Sequence, residues 1–167
     1  MGSIWHMAFA VPNLEQGMDE FGRAFGLEWR PVHHAEARLV DEHGVEHTPT
    51  CHFTFSVGAP FAIEMWEAVP GTPLDAPGDT VLHHVGYWVE DLEAEAKRLD
   101  GEGWPCFMTG HSVAVHRGPG GIMLEPCDVF RDRPFLRDLF PEGTMHHGEP
   151  RNDDKKYYTL GEAQLDD

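Results

Sequence analysis

A phrase that this chain writes twice constrains its fold more than any other feature. "IWHMAFAVPNL" (Ile4 to Leu14) and "LHHVGYWVEDL" (Leu82 to Leu92) align without a gap, setting His6 on His84, Val11 on Val89 and Leu14 on Leu92. In the first phrase Met7, Phe9 and Val11 alternate with His6, Ala8 and Ala10; in the second, Val85, Tyr87 and Val89 alternate with His84, Gly86 and Trp88. A period of two marks a strand whose faces meet different surroundings. Each phrase then turns helical. Leu14, Met18, Phe21 and Phe25 share a stripe behind Asn13 as N-cap, with Gln16 at the capping-box position and Gly26 at the stop. Asp91, Leu92, Ala96, Leu99 and Gly101 repeat the plan. A helix covering the Met/Phe/Val or Val/Tyr/Val face leaves His6 and His84 on the other.

Further strand-like runs follow each helix: "CHFTFSV" and "FAIEMWEA" in the first half, "HSVAVHR" and "GIMLEPC" in the second, parted by "VGAP" and "RGPGG". The order βαβββ, twice, predicts an α+β fold with modules at 1–70 and 80–128 and an extension at 129–167. Each half puts one carboxylate, Glu64 or Glu125, on a strand face opposite its apolar neighbours. Glu64 lies 58 residues after His6, whereas Glu125 lies 41 after His84. The longer first half predicts an extra hairpin around "ARLVDEHGVEHTPT".

Two imidazoles and two carboxylates, paired by an internal repeat on non-helix faces, meet if the halves form one curved sheet. Such a donor set suits one divalent first-row ion (Zn, Ni, Co, Mn or Fe) and leaves room for water or substrate. His83 competes with His84 in its doublet; alignment and strand parity favour His84. Parity also places Trp66, Trp88 and Met123 along the cleft, with His52 and His116 as further pocket walls.

Twelve Lys and Arg against 29 Asp and Glu give a net charge of -17, which argues against nucleic acid or an anionic membrane surface as partner. The N-terminus has no basic stretch ahead of an apolar one, and no run approaches the ~18 apolar residues of a membrane span. A cytoplasmic protein is expected. The three cysteines, Cys51, Cys106 and Cys127, form no C-x-x-C pair and read as buried free thiols.

The segments "HMAFAVPNLEQGMDEFGRAFGLEW", "FAIEMWEAVPGTP", "LHHVGYWVEDLEAEAKRL" and "GPGGIMLEP", across residues 4 to 128, resemble the vicinal oxygen chelate superfamily. That superfamily includes glyoxalase I, methylmalonyl-CoA epimerase, extradiol dioxygenases, and bleomycin- and fosfomycin-resistance proteins. The resemblance implies two modules forming an open cup around a metal, helices outside. Its ligand order, His, Glu or Gln, His, Glu, falls on His6, Glu64, His84 and Glu125. The run "IEMWEAVPGTPL" followed by "LHHVGYWVEDL" looks most like the methylmalonyl-CoA epimerase-like branch.

What this implies is a metal-dependent isomerase, epimerase or lyase acting through a metal-stabilised enolate on a small carbonyl compound, with Glu125 able to move the proton. In the epimerases a separate glutamate base precedes the second ligand by one strand. An ungapped count here puts His47 at that place with Glu46 beside it, a departure from the pattern, and His47 also reads as a surface-loop residue. The alternatives are an extradiol-type Fe(II) dioxygenase, against which a fourth ligand argues, and a metal-free drug-binding protein, against which the retained ligands argue. Few basic residues favour a modest carbonyl substrate over a multiply charged thiol adduct. A homodimer is the expected assembly. In the extension, Phe135, Leu136, Leu139 and Phe140 suggest a short docking helix ahead of a polar tail.

Overall fold

The computed structural model describes residues 4–57, 62–110 and 113–128. The helix expected around Phe135 to Phe140 and the rest of the extension lie outside the described residues.

Among the described residues ten strands and two α-helices follow in the order β1 (Ile4–Val11), α1 (Leu14–Phe25), β2 (His33–Glu36), β3 (Leu39–Asp41), β4 (Glu46–His47), β5 (Thr50–Phe55), β6 (Ala62–Glu67), β7 (Val81–Val89), α2 (Leu92–Gly101), β8 (Cys106–Gly110), β9 (Ala114–Arg117) and β10 (Met123–Asp128), with a 3-10 turn at Pro119–Gly121 before the last. All strands belong to one curled sheet ordered β2-β5-β6-β1-β7-β10-β9-β8-β3-β4. This is the mixed, cup-shaped α+β sheet with helices outside that the family resemblance implies.

The register carries the repeat into three dimensions. β1 and β6 run parallel with His6 opposite Ala62 and Ala8 opposite Glu64. β10 and β7 run parallel with Met123 opposite His84 and Glu125 opposite Gly86. The halves meet along an antiparallel β1–β7 seam, where His6 faces Gly86 and Ala8 faces His84. Exchanging the halves reproduces the same pairings, so the seam has pseudo-twofold symmetry.

The helices start where the sequence caps them. Asn13 accepts a hydrogen bond from the Gln16 backbone N–H at 2.8 Å, and Asp91 does the same for Ala94 at 3.0 Å. Gly26 ends α1 in the left-handed region, φ 68°. In α2 that conformation falls to Gly103, φ 81°, and Gly101 is still helical. On the helix face Val11, Leu14 and Met65 are buried together with Met18 and Phe21 against them.

The extra hairpin of the first half is real and longer than its sequence suggests. β2 pairs with β5 (Glu36 opposite Thr50), the Ala37 N–H donates to Pro49 O at 2.9 Å, and β3 pairs with β4 in the same frame (Leu39 opposite His47). It is one continuous ribbon with two attachments. Its base adds to β6 through β5, and its tip adds to β8 through β3, with Leu39 opposite Gly110. The first module thereby reaches across the cup to the outer strand of the second. Inside, Ala8, Ala10, Leu39, Cys51, Trp66, Met108 and Val115 form the main core, joined by Leu74 and Ala76 from the connection between the modules.

Candidate metal centre

The symmetric seam brings His6, Glu64, His84 and Glu125 to one point on the cup wall. One ligand-type atom from each of the four lies within 4.8 Å of the others. The two Nε2 atoms are 2.9 Å apart. Glu125 Oε2 stands 3.0 Å from His6 Nε2 and 2.8 Å from His84 Nε2, while Glu64 Oε2 is 3.4 Å from both. Both imidazoles are almost fully buried, 1 % and 2 % exposed, so they give up hydration without leaving the cluster. Burial opposes charge on His84, but Glu125 and Glu64 outweigh it and push its pKa up to about 9. Burial likewise opposes charge on Glu125, yet the two imidazoles hold it well below the usual carboxylate range. Four convergent donors, two nitrogen and two anionic oxygen, fit a divalent first-row cation, which would replace protons as the bridge between them.

Local strand geometry explains how the four side chains reach this point. At the seam, Ile4 pairs with Tyr87 and His6 with Gly86, so Trp5 is an extra residue; Ala8 pairs with His84 and Phe9 with Leu82, so His83 is another. Each histidine of the cluster is thus preceded by a bulge that re-aims the chain. Trp5 meets His6 edge-on at 4.0 Å between centroids and stacks on Trp88 at 4.6 Å. His83 turns its Nδ1 to His84 Nδ1 at 3.1 Å and its Nε2 to Pro73 O at 3.0 Å. Burial, with His84 beside it, brings His83 down to about 4. Gly86 is the enabling residue: a Cβ there would clash with the His6 ring. The sequence does not announce either bulge, and the roles of Trp5, His83 and Gly86 emerge only from the pairing.

Trp66 lines the cup with its ring 5.3 Å from that of His84, and Met123 packs on the same core. Trp88 is buried with Trp5, Phe55 and Ala62. Two expected pocket walls lie elsewhere. His52 belongs to the outer face: its neighbour two residues on, Thr54, pairs with Met65 under α1, and its own Nδ1 meets Glu67 Oε2 at 3.2 Å. The apolar half of β5, Cys51, Phe53 and Phe55, faces the cup instead, because the cup interior is itself apolar. His116 is also on the helix side, opposite Leu124, with its Nδ1 3.0 Å from Trp104 O and 3.6 Å from Asp100.

The hairpin tip separates the two expected bases. His47 is opposite Leu39, a core residue, and therefore on the cup face, with its Nε2 2.9 Å from Asp41 Oδ2. The hydrogen bond from His47 and those from the Val45 and His43 backbone hold Asp41 down to about 2. Glu46 is opposite Val40 on the other face, exposed, and bound to Arg38 at 2.8 Å. Neither residue belongs to the four-donor cluster.

Residues 5–121 match the family model described as the glyoxalase/bleomycin resistance protein/dioxygenase superfamily. No curated protein sequence matches significantly. Among solved structures, this fold is similar to a methylmalonyl-CoA epimerase variant of Streptomyces coelicolor in complex with 2-nitronate-propionyl-CoA, at 15% identity and TM-score 0.52 over 75% of this chain and 95% of that one. It is similar to methylmalonyl-CoA epimerase from Mycobacterium tuberculosis, at 14% identity and TM-score 0.51 over 81% and 91%. A variant of 4-hydroxymandelate synthase from Streptomyces coelicolor matches at 13% identity and TM-score 0.51, over 76% of this chain and 48% of that one.

Proposed function

This chain belongs to that superfamily, and on that premise we propose that it is a metal-dependent isomerase or epimerase, or a lyase of the same chemistry, removing a proton alpha to the carbonyl of a small substrate. The convergence of His6, Glu64, His84 and Glu125 inside an apolar cup carries this reading. His6 and His84 would hold the ion through Nε2, with Glu64 and Glu125 completing the set. A divalent ion bound there polarises a carbonyl and stabilises the negative charge that grows as the neighbouring proton leaves. Trp66, Phe53 and Met123 shield the substrate from water, which strengthens every charge interaction within.

Glu125 is the carboxylate assigned to move the proton. Its engagement with both imidazoles lowers its basicity, so transfer between two faces calls for a second group. His47 serves there: it is on the cup face, and Asp41 fixes one ring nitrogen and leaves the other to act. Glu46, facing outward in its pair with Arg38, has no part in this scheme.

A second reading, an Fe(II) dioxygenase with His6, His84 and Glu125 as a facial triad, is favoured by the longer 3.4 Å approach of Glu64 to both imidazoles. One experiment separates them. The protein, loaded with each divalent ion in turn, is incubated in deuterated water with 2-substituted acyl thioesters and 2-hydroxy-carbonyl compounds and followed by NMR. Deuterium at the alpha carbon, lost in Glu125→Gln, is expected. Oxygen consumption with ring cleavage of a catechol, and no alpha exchange, would replace the isomerase reading with the dioxygenase one.

A further inference from the structure

The two histidines of the cluster are related by the repeat, yet their Nδ1 atoms are not treated alike. His6 Nδ1 is buried without a hydrogen-bond partner among the described residues, and the bulge residue before it, Trp5, meets it edge-on, ring to ring. In the second module the bulge residue is His83, and its Nδ1 is 3.1 Å from His84 Nδ1. His83 Nε2 is 3.0 Å from the carbonyl oxygen of Pro73, and a carbonyl only accepts. The proton of His83 therefore sits on Nε2, and its Nδ1 is an acceptor. The hydrogen between the two Nδ1 atoms must then belong to His84, and the proton on His84 Nε2, shared with Glu125 Oε2 at 2.8 Å, is the one a metal ion would displace.

We propose that His83 is a positioning residue: it fixes His84 in the Nδ1–H tautomer and the orientation needed to ligate through Nε2, and Pro73 of the connection between the modules anchors it. This rests on the metal reading above. The ring of His83 is held for the task, edge-on to Trp66 at 4.7 Å and tilted over Phe107 at 6.1 Å, so its hydrogen bonds are made without free rotation. Partners that orient a ligating histidine through its second nitrogen commonly tune affinity as strongly as a ligand does. The connection 68–80, which also buries Leu74 and Ala76 in the core, is thereby tied to one metal ligand and not to the other.

The test compares near-isosteric variants of the full chain. His83→Asn keeps an acceptor close to the Nδ1 position, and His83→Leu removes it. Each is titrated with Co2+ alone against a competing chelator, after circular dichroism melts confirm folding. His83→Leu should weaken Co2+ binding by about 10–100-fold while His83→Asn stays within about threefold of wild type. In Zn2+-loaded protein, 15N-detected NMR should find a slowly exchanging His84 Nδ1–H in wild type and His83→Asn, and a fast one in His83→Leu. Should His83→Leu fail to fold, His83→Phe, which refills the ring volume beside Trp66, takes its place. Equal affinities throughout, or His83→Asn as weak as His83→Leu, would overturn the inference in favour of simple packing. Wild-type protein that takes up no Co2+ would overturn the metal reading itself, whereas uptake insensitive to His83→Leu overturns this inference alone.

Discussion

The His6 imidazole occupies the space that a side chain at position 86 would need, so Gly86 and His6 are two halves of one arrangement across the β1–β7 seam. Gly86→Ala should destabilise the protein by ~2 kcal/mol, the cost of forcing a methyl into a packed site, and should also cut metal uptake because the ring must move. His6→Ala made in the same chain should recover the stability but not the metal. Urea denaturation of the two single variants and the double variant checks this; additive losses would mean that the two positions do not share the space.

Metal should stabilise the fold by mass action. Excess divalent ion at 100 times its dissociation constant adds about 2.7 kcal/mol, seen as a higher melting temperature that chelation reverses. His84→Ala and Glu125→Gln should abolish that increment. A melting temperature rising equally in His6→Ala and His84→Ala would place the ion elsewhere.

The His47–Asp41 pair has its own pH signature. Asp41 is held at about 2 against an ordinary 3.8, so its contribution to stability is complete above the unfolded value and fades as pH falls towards the folded one. The carboxyl carbon of Asp41 should titrate near pH 2 by NMR in wild type and at a distinctly higher pH in His47→Ala, where the Val45 and His43 backbone bonds still hold it below the ordinary value. Identical titrations in both would show that the histidine does not hold it.

Cys51 and Cys106 should resist thiol reagents while the protein is folded. Burial pushes both up to about 11, with Glu64 adding to the effect at Cys51 and Asp100 at Cys106. At pH 8 only a small thiolate fraction exists, and at Cys51 it is also buried. Labelling with a disulfide reagent should run slowly until denaturant is added; rapid modification of Cys51 in folded protein contradicts the enclosed cup.

How legible this was in the sequence varies by element. His6, Glu64, His84 and Glu125 could be picked out because the repeat preserves parity: Ala8 opposite Glu64 and Gly86 opposite Glu125 are the same register written twice. The caps at Asn13 and Asp91 were readable for a local reason, a side chain bonding a backbone three residues on. The positions of His52 and His116 are not legible because parity alone does not say which face of a strand meets the cup: β5 and β9 turn Cys51, Phe53, Phe55 and Val115 inward and these two histidines outward. Trp5 and His83 were hidden by bulges, which alternation alone cannot reveal. Glu46 and His47, adjacent in sequence, were parted by strand parity once the hairpin was seen to continue β2 and β5.

The bridging ribbon also bears on how copies of this chain can associate. Among the described residues the sheet terminates on β2 and β4, four and two residues long, and β2 carries His33, His34 and Glu36 while β4 is Glu46 and His47. Short, polar rims offer little template for backbone pairing with another molecule. The longer strands that would recruit a neighbour, β1, β7 and β10, all lie inside the sheet with both sides occupied. Runaway strand addition, the hazard of large open sheets, is therefore disfavoured by the first module reaching over to cover the second.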